Sequence, residues 1–460
     1  MQRKARSEKL RNRKSLMSII VAILLLTPFM ATNNIKAQNE TGIIINKPGA
    51  YEGYTLFSPI SDTSTYLIDI EGKVIHKWTS DAIPGNSVYL TDEGKLIRTE
   101  SYRTKNSRYF PGGGSGGRVR VYDKDSNVLW EYTLSDSDCL LHHDIELLPN
   151  GNILMIVWER IEKTEAVKNG RKPWLIDGDY MLSDKVIEVN EDGEIVWEWR
   201  FFDHLVQNFS KKKLNYGNPK ENIDKLDINK VTTDMNGNVN PDWLHINSID
   251  YNEELDQILL SSPTFGEIYI INHSDEEKLT DESGIIFRWG NPSMYGVGDK
   301  QDTKLFFQHN ASWIEKGCPD EGNILIFNNG TRNKRRNYSS VDEINPVFED
   351  NSYQLSDGIY LPENASWSYV GDPKTSFFSD HISGAQRLPN GNTLICSGVD
   401  GVFFEVTVDS EIVWKYINPF GGGASKSKST QPDAQQQNPN RSVFRCTRYS
   451  KDYNGLKGIM

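Results

Sequence analysis

The chain has 460 residues and a formal net charge of −12 at pH 7. Residues 1–37 contain eight Lys or Arg and one Glu, so the remaining 423 residues carry a formal charge of −19. A body this acidic argues against a nucleic-acid partner, because contact with the phosphate backbone needs a basic surface. The net charge does not exclude small anionic substrates, because a few Arg and His side chains inside a cleft outweigh the electrostatic field of distant acidic residues.

The N-terminal segment has the layout of a secretory signal. A basic run between Arg3 and Lys14 precedes the apolar stretch LMSIIVAILLLTPFMA, and small residues lead to Ala37. This layout predicts a signal peptide over 1–37, cleavage near Gln38, and an exported protein, periplasmic or extracellular, that is free of the membrane after cleavage. An uncleaved signal anchor is the alternative, although the apolar run is short for a spanning helix.

A repeated Trp-bearing unit runs through the rest of the chain. Each unit has a turn followed by an alternating strand that ends near an aromatic residue, as in DGEIVWEW and DSEIVWKY. The six units are centred on Trp78, Trp130, Trp199, Trp289, Trp367 and Trp414. Short runs of β-branched and aromatic residues between turn residues are typical of antiparallel strands.

The six units predict an all-β fold, a six-bladed β-propeller over residues 38–460. A four-stranded blade takes roughly 40–50 residues, and the intervals between successive Trp residues run from 47 to 90 residues. The longer intervals therefore predict inserted loops, near 208–240 and 333–365. The segment GYTLFSP is expected to pair with SVFRCTRYS and close the ring, so that each blade buries its apolar faces against its neighbours.

Two Gly-rich stretches are predicted to be flexible loops. PGGGSGG at 111–117 is not followed by a helical pattern, and GGGASKSKST at 421–430 lacks the Gly before Lys of a phosphate-binding loop. Neither stretch therefore predicts a nucleotide site.

The four cysteines are widely spaced and include no C-x-x-C pair. This spacing excludes a thiolate zinc ribbon and a thioredoxin-like motif. One or two disulfides stay open in an oxidising compartment. Cys396 and Cys446, however, lie in apolar runs, where a buried free Cys is the commoner case.

Five of the eight histidines occupy one recurring position in the repeated unit. They are His142 and His143 before DIELLPNGNILMIV, His245 before INSIDYN, His309 before NASWIE, and His381 before ISGAQRLPNGNTLIC. In a propeller the inner strands line the central channel, so equivalent positions of different blades meet near the axis. The pattern predicts imidazoles around one substrate. The alternative is that these histidines only hold loops between blades.

A cation is expected at the same place. Arg332 follows the NNGT turn in the unit that contains His309, from where its guanidinium can return to the channel mouth. Arg binds a tetrahedral oxyanion through two parallel hydrogen bonds. Arg332 is therefore a candidate anion-binding residue, whereas the cations at 334–336 are expected to be solvated.

These segments resemble the bacterial arylsulfate sulfotransferases, which are exported six-bladed propellers. The resemblance rests on GYTLFSP…LIDIEGKVIHKW, HHDIELLPNGNILMIVWE, DWLHINSIDYN, QHNASWIE…ILIFNNGTR and HISGAQRLPNGNTLICSG, and it covers nearly the whole chain after residue 37. It implies that the protein moves a sulfuryl group from a phenolic sulfate ester to a phenol acceptor. The implied route is ping-pong through a sulfohistidine, without a nucleotide sulfate donor, a cofactor or a metal.

The resemblance also implies roles for individual residues. By motif, His381 corresponds to the nucleophile. Three residues correspond to the groups around the transferred sulfuryl: His245, His309 and Arg332. His142 and His143 fill the equivalent position one blade earlier and are additional candidates.

The chain departs from the best-known members of that family in two ways. They carry an N-terminal β-sandwich domain associated with dimerisation, whereas propeller-like sequence begins here within about 20 residues of the predicted cleavage site. They also have a close Cys pair, which this sequence does not contain. A homodimer and a disulfide therefore stay open.

The sequence is also compatible with two other functions. A metal-dependent hydrolase or lyase would use the histidines with Asp144 or Asp380, although no H-x-H or H-x-x-x-H pair is present. A non-catalytic surface-binding propeller would use the aromatic channel. The combination of Arg332 with several histidines favours an enzyme, because a binding module does not need both a nucleophile and an anion-binding group.

Overall fold

Six antiparallel sheets, each with its strands ordered from the centre of the ring outward, make up most of the structure. The computed structural model describes residues 41–110, 112–231, 239–273, 284–332, 336–421 and 441–460. The predicted signal peptide, 1–37, and nearly all of the Gly-rich stretch 421–430 lie outside the described residues.

The secondary structure of the described residues is almost entirely β. In chain order the strands are β1 (Gly42–Asn46), β2 (Gly53–Pro59), β3 (Ser64–Ile68), β4 (Val74–Thr79), β5 (Pro84–Leu90), β6 (Leu96–Ser101), β7 (Gly117–Tyr122), β8 (Val128–Thr133), β9 (Cys139–Leu147), β10 (Ile153–Glu162), β11 (Tyr180–Val189), β12 (Ile195–Arg200), β13 (Leu205–Val206), β14 (Leu226–Asp227), β15 (Ser248–Asn252), β16 (Gln257–Ser262), β17 (Glu267–Asn272), β18 (Phe287–Trp289), β19 (His309–Trp313), β20 (Ile324–Asn328), β21 (Ser340–Ile344), β22 (Phe348–Glu349), β23 (Ser352–Tyr353), β24 (Leu355–Ser356), β25 (Ile359–Tyr360), β26 (Trp367–Val370), β27 (Gly384–Arg387), β28 (Thr393–Ser397), β29 (Val402–Val406), β30 (Ile412–Ile417) and β31 (Val443–Ser450).

One short α-helix, α1 (Lys163–Lys168), is present in these ranges. Single 3-10 turns span Asn106–Tyr109, Pro173–Leu175, Phe201–Asp203, Pro219–Glu221, Pro292–Tyr295, Lys374–Ser376, Gly398–Asp400 and Asn454–Leu456. No helix in the described ranges has the length and apolar character needed to cross a membrane.

The sheets form a six-bladed propeller, which confirms the predicted fold. From the innermost strand outward, the blades are β31-β2-β3-β4, β5-β6-β7-β8, β9-β10-β11-β12, β15-β16-β17-β18, β19-β20-β21-β26 and β27-β28-β29-β30, numbered blades 1 to 6 here, and β1 adds a fifth strand to blade 6. Each inner strand packs against the inner strands of both neighbouring blades, in the cyclic order β31, β5, β9, β15, β19, β27. The ring is therefore closed.

The closing strand comes from the C-terminal end of the chain. β31 pairs antiparallel with β2, with Phe57 opposite Cys446. This is the pairing expected from GYTLFSP and SVFRCTRYS. A ring closed by both ends of the chain leaves no blade with an exposed inner edge.

Alternating side chains of each strand pack into different blade interfaces. On β16, Ile258 and Leu260 face blade 3, whereas Leu259 faces blade 5. Among the described residues, six of the eight apolar clusters accordingly lie between adjacent blades, one at each interface. This division explains why the strands have apolar residues on both faces.

The six predicted Trp residues all lie on the outer part of a blade, on β4, β8, β12, β18, β26 and β30. In five blades the indole Nε1–H donates to a backbone carbonyl of the next blade, as from Trp414 to Ile70 at 2.8 Å and from Trp130 to Glu191 at 2.8 Å. The repeated Trp is therefore a contact between blades as well as a core residue.

The structure differs from one expectation about the loops. Ser340–Ile344, inside the stretch 333–365 predicted as an inserted loop, is β21 of blade 5, and only the part after it forms an excursion, with the hairpins β22-β23 and β24-β25. The sequence VDEI lacks the apolar pattern of a buried strand because two of its buried residues are acidic. Asp342 accepts from Asn328 at 2.8 Å, and Glu343 pairs with Arg387.

All four cysteines are free, and Cys318, Cys396 and Cys446 are buried. Cys396 and Cys446 are therefore buried free thiols, as their apolar sequence surroundings predicted.

Candidate active site

The five recurring histidines lie at or near the start of four neighbouring inner strands. His142 and His143 lie in β9, His245 lies three residues before β15, His309 is the first residue of β19, and His381 lies three residues before β27. Because inner strands of a propeller run side by side around the axis, these positions fall at one end of the channel.

The structure brings these imidazoles together near Phe444 of the closing strand. The ring centroids of His143 and His245 are 4.6 Å apart, and the Phe444 ring lies 6.2 Å from that of His143 and 6.5 Å from that of His309. Burial, together with the nearby charges of His245 and His381, lowers the pKa of His309 to about 3. One site therefore contains groups from blades 3, 4, 5 and 6.

At the surface of this site three side chains form what we call the exposed triad: Arg332, Asp380 and His381. Nδ1 of His381 donates to Oδ1 of Asp380 at 2.7 Å, and Nε of Arg332 donates to Oδ2 of the same carboxylate. The side chains of His381 and Arg332 are 58% and 61% exposed. Asp380 thus holds the imidazole and the guanidinium beside each other while leaving both open to a ligand.

The carboxylate also sets the proton position on His381. Burial raises the pKa of Asp380, but the hydrogen bonds from His381 and Arg332 outweigh burial and lower the pKa to about 2. An ionised Asp380 is only an acceptor, so Nδ1 of His381 carries the proton. In neutral His381 the Nε2 atom then has a free lone pair, which is what a nucleophile needs.

His309 holds the turn that carries His381. Nδ1 of His309 lies 2.9 Å from Oδ1 of Asn329 and 3.0 Å from the carbonyl of Phe307, which are both acceptors, so Nδ1 is protonated. Nε2 accepts from the backbone N–H of Ile382 at 3.2 Å. Both ring nitrogens of His309 are therefore engaged by the protein. In this arrangement neither nitrogen is free to make the sulfuryl contact that the resemblance implies.

The backbone of that turn is strained. Ile382 has φ +48° and Ser383 has φ +85°, a left-handed conformation that is unfavourable for a β-branched residue. The amide of Asn329 donates to the carbonyl of Ile382 at 2.8 Å. The contacts from His309 and Asn329 together hold Ile382, and with it the direction of His381.

His245 is paired with a carboxylate. Its Nδ1 lies 2.5 Å from Oδ2 of Asp242. Burial lowers the pKa of His245, but the charge and hydrogen bond of Asp242, with the charge of Asp184, outweigh burial and raise the pKa above its ordinary value. Asp242 therefore favours the imidazolium form of His245.

His142 and His143 are buried side by side. Their Nδ1 atoms are 2.8 Å apart, and the ring of His142 stacks on Trp158 at a centroid distance of 4.0 Å. Burial lowers the pKa of both imidazoles well below the ordinary value. These two histidines are therefore neutral, in contrast to His245 beside them.

The Gly-rich stretch near 111–117 packs on the histidines, which its prediction as a flexible loop did not anticipate. The backbone N–H of His143 donates to the carbonyl of Gly114 at 2.8 Å. A Cβ on Gly114, whose φ is +82°, would lie 2.1 Å from Nε2 of His143, and one on Gly112 would lie 2.9 Å from the Trp158 ring. Glycine is needed here because the backbone approaches these rings so closely.

Sequence reasoning did not identify the partners of the histidines. Asp380 was noted only as a metal ligand for the alternative function, and Asp242, Trp158 and Asn329 were not identified. Asp242 lies three residues before its histidine in DWLH, and Asp380 directly precedes His381, so both of these pairs have a local signal. Trp158 and Asn329 meet His142 and His309 from the next strand of the same blade or directly after it, and a single sequence does not reveal such pairs.

The carboxylates that the metal alternative would use have other partners. Asp144 accepts from Arg445 Nη1 at 2.9 Å and from the Tyr89 hydroxyl at 2.7 Å, and Asp380 binds Arg332 and His381 as described. Within the described ranges no group of three or more His, Cys, Asp or Glu is arranged to hold a metal ion.

A cavity of about 1200 Å³ lies along the C-terminal parts of the inner strands. Its lining includes the carboxylates of Glu146, Asp250 and Glu315, and none of the predicted site residues. The histidines and this cavity therefore occupy different parts of the channel.

Comparison with known proteins identifies the family. The family model described as Arylsulfotransferase (ASST) matches residues 32–445. The comparison with curated proteins gave no match. Among solved structures, a protein of unknown function from Bacteroides caccae is 11% identical, with 80% of this chain and 94% of that chain covered and a TM-score of 0.42. Virginiamycin B lyase from Staphylococcus aureus is 12% identical, with 83% and 86% covered and a TM-score of 0.38.

At these identities and TM-scores the solved structures carry no argument about function. The family model is different, because it spans most of the chain and includes all the histidines of the site. The protein belongs to the arylsulfotransferase (ASST) family.

Proposed function

We propose that the protein moves a sulfuryl group from a phenolic sulfate ester to a phenol by a ping-pong route through a sulfohistidine on His381. Family membership supports arylsulfotransferase activity in general. The observation that carries the finer proposal is the exposed triad. Asp380 leaves Nε2 of His381 free for attack and holds Arg332 beside it.

In the first half-reaction Nε2 of His381 attacks sulfur, and the bond from sulfur to the phenolic oxygen breaks. The sulfuryl group stays on His381, whose Nδ1–H remains bound to Asp380, and the departing oxygen takes a proton from a second group. In the second half-reaction an acceptor phenol gives up its proton to that group and attacks sulfur. The bond from sulfur to nitrogen then breaks, and the enzyme is restored.

Positioned cations supply most of the stabilisation in such a transfer. By analogy with phosphoryl transfer, the transition state is loose and carries negative charge on the peripheral oxygens. Arg332 offers a planar set of donors to two of these oxygens, and the imidazolium of His245 offers a second cation from blade 4. Groups already fixed in place stabilise such charge without reorganisation.

The position of His309 supports a different role from the one implied by the resemblance. Since both of its nitrogens are engaged by the protein, His309 is a positioning residue that fixes the turn of His381. This role does not require His309 to contact the sulfuryl group.

The experiment that tests this proposal separates the two half-reactions. The purified protein is mixed briefly with 4-nitrophenyl sulfate without an acceptor. We expect one equivalent of 4-nitrophenol and a peptide containing His381 that is heavier by one SO3. Added phenol should remove the adduct and give phenyl sulfate. Activity without any adduct, or activity removed by a chelator and restored by a divalent metal, would overturn the proposal.

We also propose that the protein is exported. The basic and apolar segments before Gln38 support this. The measurement is the N-terminal sequence of the protein recovered from the periplasm or medium, which should begin near Gln38. Recovery of the uncut chain from the membrane fraction would support the signal anchor instead.

A further inference from the structure

The turn that carries His381 has a buried serine two residues to either side of the nucleophile. Ser379 and Ser383 have no exposed surface, although the side chain of His381 between them is mostly exposed. The Oγ atoms of the two serines are 2.8 Å apart. The two hydroxyl groups therefore form a hydrogen bond across the base of the turn.

Both hydroxyl groups also contact the backbone of His381 itself. The carbonyl oxygen of His381 lies 3.4 Å from Oγ of Ser379 and 3.3 Å from Oγ of Ser383. Each serine hydroxyl has one hydrogen. When one hydroxyl donates to the other across the turn, the second hydroxyl still has its hydrogen for the carbonyl of His381. The pair therefore supplies a donor to this carbonyl in either arrangement.

The carbonyl of His381 belongs to the same peptide unit as the N–H of Ile382. That N–H donates to Nε2 of His309 at 3.2 Å. The peptide after the nucleophile is thus held at its oxygen by the serine pair and at its nitrogen by His309. Because a peptide unit is planar, bonds at these two atoms fix the orientation of the whole plane. The backbone from which the His381 imidazole extends is fixed with it.

The serine pair is anchored in turn to the residues that follow β28. The backbone N–H of Gly398 donates to Oγ of Ser383 at 2.9 Å, and that of Val399 donates to Oγ of Ser379 at 3.2 Å. A Cβ on Gly398 would lie only 3.0 Å from the backbone nitrogen of Ser383, so the two segments are in close contact. Backbone donors therefore fix the position of both hydroxyl oxygens.

These contacts surround a strained piece of backbone. Ile382 and Ser383 both have a left-handed φ, and such residues persist only where the surrounding structure holds them. The N–H of Ser383 also donates to the carbonyl of Phe444 at 2.9 Å. Strain of this kind is found where the direction of a side chain matters for function, and here the side chain that it directs is His381.

We propose that Ser379 and Ser383 are positioning residues for the nucleophile, acting as one unit that holds the peptide after His381. This inference rests on the proposed sulfuryl transfer. The two hydroxyls are buried and act through the backbone, without touching the ligand. Attack on sulfur requires the reacting atoms to be aligned at about 3–3.5 Å. A small displacement of Nε2 of His381 therefore slows the transfer without weakening the binding of the donor.

The test compares Ser379→Ala, Ser383→Ala and the double variant. In either single variant the remaining hydroxyl has lost its partner across the turn and donates to the carbonyl of His381, so the loss should be small. In the double variant this carbonyl has no hydroxyl donor. We expect the rate of adduct formation to fall by about 10-fold or more, and by more than the product of the two single losses, because the two hydroxyls replace each other.

The measurement is the release of 4-nitrophenol in a single turnover, at several concentrations of 4-nitrophenyl sulfate. It gives the rate constant at saturating donor and the half-saturating concentration separately. The first should fall in the double variant, and the second should stay unchanged. A role in stability alone would change neither value in the folded protein.

A second hydroxyl pair in blade 1 provides the matched control. Oγ of Ser58 and Oγ1 of Thr65 are 3.1 Å apart, and both residues are 1% exposed. Ser58→Ala with Thr65→Val removes a comparable buried hydrogen bond and should leave the rate of adduct formation unchanged. If the double alanine variant does not fold, Ser379→Ala with Ser383→Cys decides the question, because a thiol keeps most of the volume but is a weak donor.

A double variant that loses no more than the product of the single losses would overturn the positioning role. A rise in the half-saturating donor concentration at an unchanged saturated rate would overturn it too. Both results leave the proposed function intact, provided that the adduct forms on His381. Failure of the wild-type protein to form that adduct would instead overturn the proposed function, so the two failures are distinguishable.

Discussion

His381 and His309 are joined through a single backbone amide, yet their surroundings are opposite. The side chain of His381 is 58% exposed and has one nitrogen held by Asp380. His309 is buried, and both of its nitrogens are held, one by Asn329 and one by the amide of Ile382. The first arrangement leaves a reactive atom free, and the second uses the whole ring as a support.

The same contrast separates the exposed triad from the inner histidines, by which we mean His142, His143, His245 and His309. Burial lowers the pKa of three of these four imidazoles, so their protons stay at defined atoms. A nucleophile needs access to the ligand, whereas a supporting residue needs a fixed proton. We therefore expect substitutions of the exposed side chains of His381 and Arg332 to change activity with little change in stability, and substitutions of the inner histidines to change both.

His381→Ala should have the largest effect on activity. It removes the atom to which the sulfuryl group bonds, so turnover should fall by about 10³-fold or more, while the free energy of unfolding stays nearly unchanged because the side chain is exposed. The measurements are phenol release, the adduct mass and urea denaturation. His76→Ala, on the outer strand β4, is the matched control and should keep full turnover. Normal turnover in His381→Ala would contradict its place in the triad.

Arg332→Lys should have the next largest effect. An ammonium is a point charge and does not reproduce two parallel hydrogen bonds to sulfuryl oxygens. Loss of one such contact in the transition state should lower kcat by about 10²-fold, again with little change in stability, since the side chain is 61% exposed. Steady-state kinetics with 4-nitrophenyl sulfate and phenol measure this effect. Arg336→Lys, four residues away, is the control.

Most of the fold could be predicted because the propeller repeats one unit. The Trp of the outer strand makes the same kind of contact with the next blade in five of the six blades, and the sequence contains its pattern six times. The strand β21 was missed because it buries Asp342 and Glu343 against partners on other strands. A pattern of apolar residues does not reveal a strand whose buried residues are ionic.

The site could be predicted only as far as the repeated histidine positions allowed. Those positions indicated which side chains meet, but not their protonation, because protonation depends on hydrogen bonds that only the packed structure shows. Asp380 fixes the proton of His381 on Nδ1, and Asn329 does the same for His309. The close approach of Gly114 to His143 was hidden for the same reason.

His309→Ala should change both activity and stability, unlike the substitutions of His381 and Arg332. The substitution leaves the N–H of Ile382 without its acceptor in the interior, at a cost of about 1–3 kcal/mol in the free energy of unfolding. Turnover should fall by about 10-fold because the turn of His381 is no longer held. Urea denaturation and steady-state kinetics with 4-nitrophenyl sulfate and phenol measure these effects. Unchanged stability would show that the turn does not depend on this histidine.

The smallest effect is expected in the pH dependence of stability. The folded protein lowers the pKa of His309 to about 3, whereas the unfolded chain has a value of about 6.5. Between these values the unfolded state binds more protons, so His309 makes the wild-type protein less stable as the pH falls from about 6.5 toward 3. His309→Gln retains polar contacts but does not titrate. We expect this variant to be less stable than the wild type by about 1 kcal/mol at pH 7.5, and the difference should shrink by pH 5.

The other inner histidines are present in both proteins, so their titration cancels in the difference. Asp380, with a pKa of about 2, loses its contribution to stability only below about pH 4, outside the range used. Urea denaturation at pH 7.5, 6 and 5 gives the difference directly. A difference that stays constant or widens toward pH 5 would show that His309 is not held neutral by burial, and the contrast between the two histidines would then fail.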